Sequence, residues 1–69
     1  MVPPPPGFDV ALGTFMEKMP YSVLSRILLD GAKMSLIHRL LDSALKEHDP
    51  VTAAEVALKR FYDAHPELL

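Results

Sequence analysis

The chain has 69 residues, 49% hydrophobic and 23% charged, with a formal net charge of -2 and no cysteine. One domain is the most this length allows, and a chain so short buries only about 60% of the surface its unfolded form exposes. The composition excludes a disulfide scaffold and supplies no overall positive field to draw the chain to nucleic acid or to anionic lipid.

Met1 and Val2 precede four consecutive prolines, Pro3 to Pro6. Each ring fixes φ and removes a backbone donor, which predicts a disordered polyproline leader over residues 1–7 and a single helical domain over 8–69. The leader has neither the basic n-region nor the apolar h-region of a secretory signal. No stretch reaches the roughly 18 apolar residues of a membrane span, so the expected location is the cytoplasm, away from membranes. The proline run satisfies P-x-x-P, but it lacks the basic flank that SH3-type ligands add.

From Phe8 the spacing becomes helical, with Phe8, Leu12, Phe15, Met16 and Met19 on one face. Asp9 places a negative charge where it favours a helix N-terminus. Gly13 weakens this first helix by about 0.5 to 1 kcal/mol relative to alanine, and Pro20 ends it by pushing its predecessor out of the α region.

Tyr21 to His48 contains no proline and one glycine. At about 100° per residue, Val23, Leu24, Ile27 and Leu28 fall on one arc, while Met34, Ile37, Leu41, Ala44 and Leu45 fall on another turned by roughly 100°. The change comes at Asp30-Gly31, which reads either as a left-handed helix end or as a weak point inside one long helix. Ala32 to Ser35 offers few loop residues and no capping box, which favours one central helix, continuous or kinked there, about 42 Å long. Leu29, Leu36 and Leu40 make a further apolar ridge beside Arg26 and Lys33.

Asp49-Pro50 pairs an N-cap acceptor with proline at the first helical position and predicts a last helix to about Ala64. Its inner face is Val51, Ala54, Ala57, Leu58, Phe61 and Tyr62, with Glu55 and Lys59 paired outside and Val56 pointing away. Pro66 stops it and leaves Glu67, Leu68 and Leu69 as a short tail.

The expected fold is therefore all-α, with three main helices and a long central one, associating as a helical-bundle homodimer because a private core this thin leaves apolar helix surface to cover. No catalytic, cofactor or metal site is expected. His38, His48 and His65 are too scattered for structural zinc, and a Ser35, His38, Asp42 row on one helix has no oxyanion hole or water-excluding cleft to make it a nucleophilic site. The candidate partner-binding residues are Arg26, Leu29, Lys33, Leu36, Arg39, Leu40 and Val56. Arg26 leads because a planar guanidinium beside leucines is a favoured interface anchor.

The expected function is protein–protein interaction: a small regulator or adaptor that binds and inhibits or modulates a larger protein such as a transcriptional regulator, in the style of phage-encoded anti-activators. Two other classes compete with it. One is a small dimeric DNA-binding regulator using Lys33, His38 and Arg39. Its helix-turn-helix register is imperfect, since Arg26 and Asp30 fall where apolar residues are usual, and nucleic acid stays the weaker expectation. The other is a structural subunit of a larger assembly.

Overall fold

The structure, a computed structural model, describes residues 6–68. It is all-helical: among the described residues the chain forms α1 (Phe8–Glu17), α2 (Tyr21–Leu28), α3 (Gly31–Leu45) and α4 (Pro50–Ala64), then a single 3-10 turn at Pro66–Leu68. None of these helices is long and apolar enough to cross a membrane. Of the expected leader, Met1 to Pro5 lie outside the described residues; Pro6 and Gly7 form the turn into α1.

The long central helix is corrected to two helices. Asp30 takes an extended conformation between α2 and α3 (φ -115°, ψ 101°) and caps α3. The Ala32 and Lys33 amides donate to Asp30 Oδ1 at 3.1 and 3.2 Å, and Lys33 Nζ donates to Oδ2 at 2.8 Å. A carboxylate that satisfies two of the four orphan amides of a helix start competes well with one more turn of continuous helix. Gly31 is consequently the first residue of α3, and Gly7 is the one residue with positive φ among those described. The break also explains the two apolar arcs: bending the chain at Asp30 lets Val23 and Ile27 of α2 face the same core as Ile37, Leu41 and Ala44 of α3.

The other helix boundaries follow their local signals. Gly7 (φ 83°) accepts the Ala11 amide at 2.9 Å and opens α1. Asp49 accepts from the Thr52 amide at 3.3 Å with Pro50 in the first turn of α4. The expected inner face of α1 is buried at Phe8, Phe15 and Met19 and half-buried at Leu12 and Met16, and Ala11 joins it.

α4 packs against both α1 and α3, and α2 lies mainly against α3. Three fully buried alanines, Ala53, Ala54 and Ala57, let the neighbours of α4 approach it closely, and Phe61 meets Phe15 edge-on with ring centroids 5.9 Å apart. Val51, expected inside, is exposed, because the inner face of α4 is set by its alanines. The expected Glu55–Lys59 pair is also replaced: Glu55 reaches Lys18, the C-cap of α1, at 3.7 Å, and Lys59 pairs with Asp63 at 3.3 Å. Of the expected tail, Glu67 and Leu68 turn back instead, and Leu69 lies outside the described residues. Leu68 is buried against the core, and His65 Nδ1 lies 3.0 Å from Glu67 Oε1.

Asp30, Asp49 and Glu67 are held below the ordinary carboxylate range, chiefly by Lys33, by Thr52 and by the Glu67 backbone amide with His65, respectively. A depressed folded-state pKa gives stability that is present above the ordinary value and lost as pH falls through the depressed one. The thermal midpoint should therefore fall on acidification below the ordinary aspartate range. Asp30→Asn keeps a capping oxygen but removes the charge facing Lys33, so its pH profile should be flatter than wild type. Parallel melting profiles for the two proteins across that range would refute the assignment to Asp30.

Candidate functional site

α2 is the shortest α-helix, with eight residues, Tyr-Ser-Val-Leu-Ser-Arg-Ile-Leu. A helix of this length is unstable alone and is held by what it packs against. Val23 and Ile27 provide that packing. The opposite side of the same helix is also apolar: Tyr21 is 83% exposed, Leu28 54%, and Leu29, at the C-cap, 91%. Leu24 is half-buried between the two faces. Tyr21, Leu24, Ser25 and Leu28 recur at i, i+3, i+4 and i+7, the spacing of one continuous helical stripe. Ser25 Oγ donates to the Ser22 carbonyl at 3.2 Å, so the serine hydroxyl in the stripe has its partner within the helix.

Beside this face the turn between α2 and α3 meets the C-terminal 3-10 turn. A crevice of about 200 Å³ opens there, lined by Arg26, Asp30, Lys33, Glu67 and Leu68. Both signs of charge line it, with Lys33 held by Asp30 and Glu67 by His65. Arg26 is exposed.

The seven expected contact residues divide into three groups. Arg26, Leu29 and Lys33 come together around the α2–α3 turn. Leu36 and Leu40 are half-buried against the core, so the ridge they were expected to form with Leu29 is divided between two helices. Arg39 lies on the exposed side of α3, where it bounds a shallow, open depression of about 440 Å³ with Met34, Ser35 and His38. Val56 is half-buried on α4.

Sequence reasoning missed Tyr21, and it placed Leu28 in the core arc. The signal was present in the spacing of Tyr21 and Leu28; Leu24, on the same expected arc, does pack against the core, half-buried. Within the Ser35, His38, Asp42 row, the His38 ring stacks at a tilt on Phe8 with centroids 5.2 Å apart, and Asp42 does not line the depression that Ser35 and His38 bound.

An exposed aromatic–leucine stripe and, on another side of the same short helix, an exposed guanidinium are chemically suited to contact with protein, where aromatic and arginine side chains contribute most of the affinity. No family model matches the chain, and comparison with curated proteins and with solved structures found no match at the level taken as significant.

Proposed function

We propose that the chain is a small helical protein–protein interaction module of the cytoplasm, a homodimer that binds a larger protein and modulates what that protein can do. The observation that carries this reading is the apolar outer face of α2, Tyr21, Leu28 and Leu29, on a helix whose other face already fills the core. A soluble chain gains nothing from leaving several large apolar side chains together in water unless something covers them. Arg26 and the mixed-charge crevice beside that face supply the polar rim usual around an apolar interface centre. With that face given to self-association, Arg26 and the crevice stay open to the larger protein, and occlusion of its working surface, as anti-activators and adaptors do, is the action they support.

The test uses Arg26→Ala. Its stem can cover leucine while its head reaches across an interface, so the variant should keep wild-type helicity and weaken partner capture by about 1 kcal/mol, roughly fivefold. Quantitative mass spectrometry of proteins retained by wild-type and variant bait, from cells that make the chain, reads this directly. Equal retention of every captured protein by the two baits would remove Arg26 from the interface.

A second reading, the DNA-binding regulator, gains support from the division of the middle segment into two helices joined by a tight turn. Against it, Lys33 is engaged by Asp30 and His38 by Phe8, which leaves Arg39 as the most available of its three proposed contacts. Duplex binding that falls steeply with salt would favour this reading, since phosphate contact releases counterions.

A further inference from the structure

We propose that the outer face of α2 is covered by α2 of a second copy, running antiparallel about a two-fold axis that passes between Leu24 and Ser25. This rests on the reading of the chain as a self-associating module and assigns the seam within it. The stripe is self-complementary about that point. Tyr21 and Leu28 lie equally far on either side of it, so an antiparallel partner sets each Tyr21 against the other copy's Leu28, and the same contact is made twice, as an isologous interface requires. Ser25, next to the axis, is small enough for the helices to approach closely, and its hydroxyl is already bonded to the Ser22 carbonyl.

The charges fit the same arrangement. α2 carries no acidic residue, and its one cation, Arg26, sits about 140° around the helix from Tyr21, whereas Leu24, Ser25 and Leu28 lie within about 60° of it. No charge is buried in the seam. The start of α2, where Pro20 provides no side-chain cap, meets the carbonyl end of the other copy's helix, which is the favourable relation of helix dipoles.

The area suits a modest, closed pair. The whole chain exposes 4514 Å², and an ordinary specific interface takes about 800 Å² from each side. Tyr21, Leu24, Leu28 and Leu29 leave a few hundred Å² of apolar surface bare, the centre of an interface of that modest size and too little for one two or three times larger. A symmetric pairing uses this patch twice and closes on itself. Both Arg26 side chains then stand on one side of the seam, outside it, where a third molecule can reach them.

The absence of native cysteine makes single-cysteine probes clean. In the antiparallel seam, Ser25 of the two copies is offset by about 1.5 Å along the axis and Tyr21 by about 10.5 Å, while a disulfide needs Cα atoms within about 7 Å. Under mild oxidation of the full-length chain, Ser25→Cys should link to itself and Tyr21→Cys should not, but a mixture of Tyr21→Cys and Leu28→Cys should form the mixed disulfide. In sedimentation velocity from micromolar to several hundred micromolar, the wild type should approach twice 7.7 kDa, and Leu28→Asp should raise the dissociation constant at least tenfold with its circular dichroism unchanged. A wild type that stays monomeric throughout overturns the seam and the homodimer together, leaving partner capture by Arg26 to its own test. A dimer indifferent to Leu28→Asp and not trapped by Ser25→Cys overturns the seam alone. Self-linking of Tyr21→Cys as fast as that of Ser25→Cys makes the helices parallel and overturns the antiparallel assignment. Should Leu28→Asp unfold, the cysteine pairs still decide the question.

Discussion

Phe61→Ala is expected to leave the chain largely unfolded at physiological temperature. Phe61 is fully buried on α4, where it packs edge-on against Phe15 at 5.9 Å and against the His65 ring at 5.1 Å. Truncating a buried phenylalanine costs about 3 to 5 kcal/mol, part lost transfer energy and part residual cavity. A domain of this length has a total stability of roughly 3 to 10 kcal/mol, so one side chain carries a large share of it. α4 bridges α1 and α3, and a void there loosens two helix contacts at once. Thermal melting by circular dichroism checks this. A cooperative melt lowered by less than about 10 °C would show that the core collapses around the gap far better than its close packing implies.

Gly7→Ala should be the next most damaging single change. Gly7 sits at φ 83°, and a Cβ built there comes within 2.6 Å of Pro50 Cγ. The left-handed backbone alone costs an L-residue about 1 to 2 kcal/mol, and the proline ring, fixed at the first position of α4, cannot swing aside as a long flexible side chain would. A drop in melting temperature of roughly 10 °C is expected. Gly13→Ala provides the opposite control. Gly13 is helical, exposed, and has nothing within 4 Å of a built Cβ, so alanine there should stabilise by about 0.5 to 1 kcal/mol. Equal melting temperatures for the two variants would deny Gly7 its special conformation.

These contrasts show what was legible in the sequence. Pro20 and Asp49-Pro50 act within about one helical turn of where they stand, so the end of α1 and the start of α4 could be read directly. The break at Asp30 could not, because two local solutions compete there: a continuous helix, favoured by apolar residues on both sides, and a capped restart, favoured by one carboxylate that takes two amides and the Lys33 ammonium. Only tertiary packing decides between them. The two apolar arcs recorded the answer, since a rotation of roughly 100° in the buried stripe is what a chain needs if it is to bend and still face one core. The candidate site was legible to the same depth. Leu29 and Arg26 are exposed as expected, whereas Leu36, Leu40 and Val56 are half-buried on helices whose relative placement no local signal fixes.

The close approach of Gly7 to Pro50 has a consequence for how the protein is made. The turn that opens α1 is seated on the first residue of α4, and the alanines and Phe61 that complete the core follow it. Contacts between segments so far apart in sequence form late, because the entropy of closing the intervening loop is lost before they stabilise anything. On the ribosome, α1, α2 and α3 should emerge before α4, the helix that packs against both α1 and α3. Folding is then a single late event, and until it happens the nascent chain presents Phe8, Phe15 and Ile37 to whatever chaperone waits at the tunnel mouth.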